Sequence, residues 1–465
     1  MTTAQAKTGV QAASDWTELR ALFGDRFSDS EAVRDHHGRA ESFYPAMPPD
    51  AVIFPESTQD VVAAVSFCAE RNIPVVPFGV GTSLEGNFLA ARGGLCLDLS
   101  RMNRLLRVSA EDLDCTVQAG VTRKQLNNEL RDTGLFFPID PGADATLGGM
   151  AATRASGTNA VRYGTMRQNV LGLTVVLADG RVVHTGGRAR KSAAGYDLTG
   201  LFVGSEGTLG VITEVTLKLY GQPEAISAAV CEFETLRGAV NAVIETIQLG
   251  IPVARIELLD ALQMHAINNY GGTAYRECPT LFLEFHGTPA GVAEQSASFG
   301  EIATAHGACG YAEATNTEDR TALWDARHKV HYANRALKPG CSAIATDVCV
   351  PISRLCDCIE DTRRAIEESG LIAPIVGHVG DGNFHTVMLV DPSSDEDIAR
   401  AKALSERIVD LALAYGGTCT GEHGVGIGKK AYLIQEHGEG AVDLMRAVKR
   451  AFDPAGIMNP GKIFD

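Results

Sequence analysis

The chain has 465 residues, of which 45% are hydrophobic and 21% charged, a composition typical of a soluble globular protein with two or three domains. Its 41 Lys and Arg residues against 57 Asp and Glu residues give a net charge of −16, which disfavours nucleic acid and anionic membranes as partners. No apolar stretch approaches the roughly 20 residues that span a bilayer, so an integral membrane protein is not expected.

The first half of the chain is predicted to combine helices and short strands. Residues 1–45 are expected to form a helical lead-in, with Ser14 as the N-cap of a helix that contains Trp16. Residues 46–222 are rich in glycine and short apolar runs, and a helix is predicted to open at Thr58. The predicted strands are 74–77, 95–99, 115–118, 173–177 and 211–219.

The second half is predicted to contain longer helices. A change of composition near residue 222 indicates a domain boundary, so residues 223–415 form the next expected domain and residues 416–465 a C-terminal segment. The pattern predicts an antiparallel sheet with helices on one face. The predicted helices are 235–249, 351–369 and 394–414, and the predicted strands are 280–285, 343–350, 371–376 and 384–390.

Three glycine-rich segments lie at strand ends, at residues 78–83, 140–164 and 203–212, and the first directly follows the predicted strand 74–77. Glycine tolerates positive φ angles, which turn successive backbone N–H groups toward an anion, so the first segment could hold a diphosphate. Each segment alone is also consistent with a structural turn. Three of them in one domain favour a large, extended cofactor.

A pair of histidines is predicted to share one face of a β-hairpin. Asp381-Gly382 is a strong two-residue turn signal. Pairing outward from it places His378 opposite His385, with Cβ atoms roughly 4.5–5.5 Å apart. With Glu422 as a third ligand, these side chains could bind a divalent metal ion, and nitrogen and oxygen ligands suit Zn²⁺ or Mn²⁺. Three ligands with an open position are typical of a catalytic metal site.

These motifs together resemble a known family. The glycine segments, the His-x6-His hairpin, Gly-Glu-His-Gly at 421–424 and Met-Asn-Pro-Gly-Lys at 458–462 are similar to the FAD-linked oxidases of the vanillyl-alcohol oxidase fold. Within them, the cytochrome-type D-lactate dehydrogenases are most similar, with glycolate oxidase FAD subunits and D-2-hydroxyglutarate dehydrogenases as close relatives. The likeness extends from about residue 54 to the C-terminus.

The resemblance implies an α+β fold. Residues 46–222 would form a two-subdomain FAD-binding domain of the PCMH type, and residues 223–415 a substrate (cap) domain with an antiparallel sheet and helices. Residues 416–465 would return to the flavin site. Some relatives attach FAD covalently through a histidine near the diphosphate loop, and residues 77–83 contain no histidine. Non-covalent FAD is therefore expected.

The resemblance also implies which residues contact FAD. Arg154 departs from the small or polar residue expected at its position, so its side chain either points away from the cofactor or reaches the substrate. The expected FAD contacts are Pro77, Gly79, Val80, Gly81, Thr82, Ser83, Pro141, Gly142, Thr146, Gly149, Ala152, Thr153, Ser156, Gly157, Val161, Glu206, Gly207, Ile212 and Asn459.

The expected reaction is oxidation of a D-2-hydroxy acid to the 2-oxo acid. A divalent ion can bind the carboxylate and the α-hydroxyl group of such a substrate and lower the pKa of the hydroxyl. His423 is the expected base that removes the hydroxyl proton, and a hydride passes from the α-carbon to flavin N5. Arg327 matches the arginine with which the family binds the substrate carboxylate in bidentate fashion. Without the resemblance, a surface ion pair would be the more usual role for Arg327.

The substrate is expected to be short or apolar, such as D-lactate or D-2-hydroxybutyrate. D-2-hydroxyglutarate dehydrogenases have a basic residue where this chain has Ala345, although Lys338 or Arg154 could reach the same place. Two other functions remain open at this stage. One is a metal-dependent hydrolase built on the two histidines and Glu422, and the other is a flavin-binding subunit that needs partners.

The sequence contains no haem or iron–sulfur motif, so electrons must pass to an external acceptor such as a cytochrome, a quinone or an electron-transfer flavoprotein. The 11 cysteines include no Cys-x-x-Cys pair, which favours a reducing compartment over a disulfide framework. We expect a cytoplasmic protein. Peripheral attachment at the inner face of the membrane and a homodimer are left open.

Overall fold

The computed structural model describes residues 15–40, 42–314 and 316–464. The predicted cap at Ser14 lies outside these residues, and the helix that follows runs from Thr17–Phe23 with its apolar side buried. Within the described ranges, no helix combines the length and the apolar character needed to cross a bilayer.

A four-stranded mixed sheet forms the first layer. Helix Thr58–Arg71 covers it and begins where predicted, because the side chain of Ser57 accepts a hydrogen bond from the N–H group of Asp60. The helix and the sheet enclose one apolar core. In spatial order, the strands are Phe27–Ser28, Ala51–Ile53, Leu95–Asp98 and Val75–Phe78.

A five-stranded antiparallel sheet forms the second layer and has a core of its own. A two-stranded ribbon of Leu135–Phe136 and Tyr220–Gly221 lies beside it. In spatial order, the strands are Leu105–Ser109, Asp114–Gln118, Val211–Lys218, Val170–Val176 and Val182–Gly186. The helices of this region are Arg123–Leu130, Leu147–Thr153, Ala160–Tyr163, Met166–Asn169 and Leu198–Phe202.

The third sheet has eight antiparallel strands, as the predicted α+β fold requires. The strand Val348–Cys349 pairs with Asn383–Val390 beside the main path of the sheet. In spatial order, the other strands are Ala308–Ala314, Ala225–Phe233, Thr280–Gly287, Val253–Leu259, Ile375–Gly377, Asn383–Val390 and Ser342–Ala345.

Helices pack on both faces of this sheet, so the prediction of a single covered face is wrong. Leu281 and Leu283 belong to one core, whereas Phe282 between them belongs to another. Alternate residues of a strand point to opposite faces, so both faces are buried. Helices Leu236–Gln248, Pro289–Ala305, Leu355–Ser369 and Asp395–Ala414 contribute to the first core. Helices Ala261–Gly271, Thr317–His328 and Val330–Leu337 contribute to the second.

The remaining helical elements connect these layers. The helix Glu31–His37 precedes the second strand, and the helix Leu433–Phe452 lies near the C-terminus with a kink at Gly438. The 3-10 helices are Gly24–Arg26, Leu99–Arg101, Arg131–Thr133, Ile352–Arg354, Val379–Asp381 and Lys430–Tyr432.

The predicted register of the histidine hairpin is wrong. Val376, rather than His378, lies opposite His385, and the connection is a 3-10 turn over Val379–Asp381. A two-residue turn of the Asp-Gly type needs positive φ at both central residues, and only Gly382 has it, at 79°. His378 therefore lies two residues beyond the partner of His385, diagonally across the same strand pair.

Candidate active site

A cleft of about 630 Å³ is lined by residues from all three sheets. All three glycine-rich segments reach its wall, and so do the two histidines of the hairpin. A volume of this size is suitable for an organic cofactor and a small substrate. Of the expected FAD contacts, those that line the cleft are Pro77, Gly79, Val80, Gly81, Thr82, Ser83, Pro141, Gly142, Thr146, Gly149, Ala152, Thr153, Ser156, Glu206, Gly207 and Ile212.

Three of the expected FAD contacts lie behind this wall. The backbone of Gly157 packs against Asp140, and the side chain of Val161 packs against Gly380. The side-chain amide of Asn459 donates hydrogen bonds to the carbonyl oxygens of Asn87 and Glu206, at 2.8 and 2.6 Å. These three residues are not among those that line the cleft, and their contact with FAD stays a prediction.

The first glycine segment fits a diphosphate group. Within the described parts of the chain, none of the five backbone N–H groups from Gly79 to Ser83 donates a hydrogen bond to another residue. Gly81 has a positive φ of 71°, and a Cβ atom on Gly79 would overlap Thr146. A loop with unused N–H donors at the end of a strand is a suitable binding site for phosphate oxygens. The residues present therefore fit FAD.

Glu206 connects the cleft to the C-terminal segment. Its buried carboxylate accepts hydrogen bonds from the N–H groups of Val425 and Gly426, at 2.7 and 2.8 Å, and from the amide of Asn87 at 2.6 Å. Burial raises the pKa of this carboxyl, and these donors oppose the shift. Glu206 thus lines the cleft while it holds the segment that carries Glu422 and His423.

Arg154 points away from the cleft. Its Nε and Nη2 atoms donate hydrogen bonds to the carbonyl oxygen of Val203, at 3.3 and 2.9 Å. The residue ends the helix Leu147–Thr153 with a positive φ of 56°. It is not among the residues that line the cleft, so the departure from the family pattern is structural.

The three predicted metal ligands converge. The Nε2 atoms of His378 and His385 lie 3.3 and 3.4 Å from the same carboxylate oxygen of Glu422. Nδ1 of His385 donates a hydrogen bond to the carbonyl oxygen of Thr346 at 2.9 Å, so its Nε2 atom keeps a free lone pair. All three ligand atoms lie within 4.8 Å of one another, and the set fits a divalent ion.

Glu257 is an acidic residue that sequence reasoning missed. Its fully buried carboxylate lies 2.7 Å from Nδ1 of His378 and accepts hydrogen bonds from Nε and Nη2 of Arg327, at 3.0 and 2.6 Å. Burial alone would raise the pKa of this carboxyl, but its interactions with His378 and Arg327 hold the pKa below its usual value. One available signal was an acidic residue inside the apolar strand Val253–Leu259.

We expect Glu257→Gln to weaken the affinity for the metal ion by about 10- to 100-fold, because a carboxylate orients His378 and makes it a better ligand. Glu284→Gln is the matched control. Glu284 is also buried in this sheet and also pairs with a histidine, His286, at 2.7 Å, but outside the cleft. Metal titration of both variants measures the effect, and equal weakening in both would contradict it.

Asp347 positions the turn that carries Glu422 and His423. Its Oδ2 atom accepts hydrogen bonds from the backbone N–H groups of both residues, each at 2.9 Å, and from the hydroxyl of Thr420 at 2.7 Å. Burial alone would raise the pKa of Asp347, but its electrostatic interactions with His423, His385 and Lys429 hold the pKa far below its usual range. An ionised Asp347 therefore fixes the ligand and the base together.

His423 has the environment of a neutral base. Its ring stacks on that of His385 with centroids 5.2 Å apart, and its buried Nδ1 atom has no hydrogen-bond partner in the described chain. Burial lowers the pKa of His423 below its usual value, although Asp347 opposes the shift. A neutral imidazole in the cleft can accept a proton.

Several cleft residues were not predicted. His328, His331 and Tyr332 line the wall where helix Thr317–His328 meets helix Val330–Leu337. Arg327 lines the cleft as predicted, with one edge of its guanidinium bound to Glu257. The polar residues at this junction of two helices were the feature of the sequence that could have indicated a place in the cleft.

Comparison with known proteins agrees with this geometry. The FAD binding domain family matches residues 49–186, and the C-terminal domain family of FAD-linked oxidases matches residues 222–463. The chain belongs to the FAD-linked oxidases. It is 50% identical over 97% of its length to a probable mitochondrial D-lactate dehydrogenase of Danio rerio, 91% of which is covered. It is 46% identical over 96% of its length to a mitochondrial D-lactate dehydrogenase [cytochrome] of Arabidopsis thaliana, 79% of which is covered.

More distant members of the family are also similar. The glycolate oxidase subunit GlcD of Bacillus subtilis is 35% identical over 95% of this chain and 94% of its own length. Among solved structures, p-cresol methylhydroxylase with bound substrate matches with a TM-score of 0.79 at 19% identity, over 97% of this chain and 96% of that one. Alkyldihydroxyacetonephosphate synthase matches with a TM-score of 0.76 at 20% identity, over 96% and 84% of the two chains. These solved structures support the fold alone.

Proposed function

We propose that this FAD-linked oxidase oxidises a short D-2-hydroxy acid, most simply D-lactate, and passes the electrons to an external acceptor. The observation that carries the proposal is the triad of His378, His385 and Glu422 next to the unpartnered Nδ1 atom of His423, in a cleft lined by the glycine segments. The names of the relatives from Danio rerio and Arabidopsis thaliana support the same substrate.

In this proposal, residues 46–222 form the FAD-binding domain, residues 223–415 the substrate domain, and residues 416–465 the segment that completes the site. Bound FAD would supply the hydride acceptor, and Zn²⁺ or Mn²⁺ held by the triad would lower the pKa of the substrate hydroxyl. The cofactor would be bound without a covalent link, since the glycine segments that line the cleft contain no histidine.

The protein residues would then bind the substrate and move one proton. His423 would take the hydroxyl proton, because burial lowers its pKa and favours the neutral ring, which can accept one. Arg327 would bind the substrate carboxylate through Nη1, because Glu257 occupies Nε and Nη2. Glu257 and Asp347 would keep these groups in position.

The wall next to the triad suits a small apolar side chain. Ala345 lies opposite Val387 in the sheet, Val376 lies opposite His385, and all of these residues line the cleft. Lys338 and Arg154, the two basic residues that could have bound a second substrate carboxylate, lie outside the cleft lining. Lys338 is paired with Asp397 at 3.5 Å.

We expect kcat/KM for D-lactate to exceed that for D-2-hydroxyglutarate by on the order of 100-fold, because the distal carboxylate would be desolvated against this apolar wall without a partner. Ala345→Arg should raise kcat/KM for D-2-hydroxyglutarate, whereas Ala345→Gln, of similar length but neutral, should not. A native preference for D-2-hydroxyglutarate would exclude the proposed substrate.

The decisive experiment for the reaction class is absorption spectroscopy of the purified protein. Flavin absorption that bleaches when D-lactate is added under anaerobic conditions supports the proposal, and a colourless protein that binds no FAD would leave the metal-dependent hydrolase. Bleaching by the chain alone would also argue against a subunit that needs partners.

A panel of cytochrome, quinone and electron-transfer flavoprotein then identifies the class of electron acceptor. The reduced flavin is expected to react only slowly with oxygen. The cytoplasmic location stays a prediction.

A further inference from the structure

A second cluster of potential metal ligands lies in the third sheet, and none of its members lines the cleft. Glu232 is on strand Ala225–Phe233, Cys278 lies two residues before strand Thr280–Gly287, and Cys309 is on strand Ala308–Ala314. One carboxylate oxygen and the two sulfur atoms lie within 4.8 Å of one another. The three residues come from three adjacent strands or their ends, so the sheet itself brings them together.

The register explains why Cys309 reaches this cluster. Glu232 lies opposite Gly310, but Phe233 lies opposite Ala308, so Cys309 is the extra residue of a β-bulge. In a regular ladder, Cys309 would point to the face opposite Glu232. A bulge redirects one side chain, and here it brings the sulfur of Cys309 close to the carboxylate.

The environment of Glu232 leaves its charge without compensation. The side chain is half-buried, and within the described residues it has no hydrogen bond and no ion pair. Gly310 packs directly against its carboxylate, and a Cβ atom there would displace it. The nearby Arg276 donates its hydrogen bond to Cys309 instead, with Nη1 3.0 Å from the sulfur. A partly desolvated carboxylate without a partner is unfavourable unless a cation binds.

We propose that Glu232, Cys278 and Cys309 form a second site for a divalent ion that prefers thiolates, such as Zn²⁺. Two thiolates and one carboxylate carry three negative charges, which the ion and Arg276 together neutralise. The hydrogen bond from Arg276 would stabilise the thiolate of Cys309 as a ligand. The ion would fasten the outermost strand Ala308–Ala314 to its neighbours, a structural role independent of the reaction in the cleft.

Cd²⁺ is the appropriate probe, because thiolate ligands give a cadmium–sulfur charge-transfer absorption that imidazole and carboxylate ligands do not give. The site formed by His378, His385 and Glu422 is therefore silent in this assay. Titration of the full-length, reduced, FAD-loaded protein should develop this band with one equivalent of Cd²⁺. Cys278→Ser and Cys309→Ser should abolish the band, and Glu232→Gln should weaken Cd²⁺ binding by at least about tenfold. Cys356→Ser, which removes a buried thiol elsewhere, should change nothing.

Alkylation of the native protein tests the proposal even if a serine variant does not fold. Cys309 is exposed, so iodoacetamide should alkylate it in the folded protein, and prior Zn²⁺ should protect it by at least about tenfold in rate. Turnover of the hydroxy acid should be unaffected by Glu232→Gln. The proposal fails if the native protein shows no charge-transfer band, if the band survives loss of both cysteines, or if Cys278 and Cys309 form a disulfide in place of a metal site.

Discussion

Replacing His378 or His385 with Ala is expected to lower kcat by on the order of 1,000-fold or more while FAD stays bound. In the proposed metal site, the two Nε2 atoms and the Glu422 carboxylate would be the ligands, and removal of one imidazole would leave two. A bound ion contributes several kcal/mol to stabilisation of developing charge, and each 1.36 kcal/mol is worth about tenfold in rate. Turnover with an artificial acceptor measures kcat. The metal content per chain measures metal binding, and the flavin absorbance per chain measures FAD binding.

His265→Ala is the matched control for this experiment. His265 also pairs with a carboxylate, Glu277, at 2.9 Å, but it is only partly buried and does not line the cleft. Its replacement should leave kcat, metal content and FAD content unchanged. If FAD is lost together with the metal from His378→Ala, the two sites are not separate and the proposed division of roles is wrong.

The parts of the site that the sequence revealed are those with a local signal. The unusual conformations of the loop at residues 79–83 require glycine, and the requirement is visible without any tertiary information. The helix at Thr58 has a capping residue directly before it. His378 and His385 were identified because a turn signal lies between two apolar runs. In the loop and the helix, neighbouring residues determine the structure, whereas the turn signal identified the two histidines but predicted the wrong register.

The parts that the sequence missed depend on contacts between distant residues. Gly382 packs against the carbonyl oxygen of Val350, and the chain there forms a longer turn than the Asp-Gly pair predicts. Asp347 lies between two short strands, where the sequence indicated a single strand over 343–350, because its carboxylate binds a turn more than 70 residues later. The residue pattern that predicts a strand does not reveal that a polar residue within it binds a turn far away in the sequence.

The same argument applies to Glu257 and Asn459. Glu257 is acidic within an apolar strand, which suggests a buried role, but its partners His378 and Arg327 come from two distant segments. Asn459 lies in a motif that resembles the family, yet its amide bonds to backbone oxygens behind the cleft. The resemblance identified the motif, whereas the contacts of its side chains depend on segments that are distant in the sequence.

Replacing His423 with Asn should slow reduction of the flavin by D-lactate by about 10²- to 10⁴-fold, the usual contribution of a general base. Metal and FAD should both stay bound, unlike in His378→Ala, because His423 is not a ligand in the triad. KM should change little, because Arg327 would still bind the carboxylate. The turn should keep its conformation, since Asp347 holds it through backbone N–H groups that the substitution preserves.

Anaerobic stopped-flow measurement of flavin reduction isolates this step from electron transfer to the acceptor. In the native enzyme, the rate should fall at low pH as His423 becomes protonated, and burial places that fall below the usual imidazole range. In His423→Asn, this acid limb should disappear together with most of the rate, because the variant has no imidazole to protonate at that position. A slow variant that keeps the same acid limb would assign the base to another residue, and His328 or His331 on the cleft wall would be the next to replace.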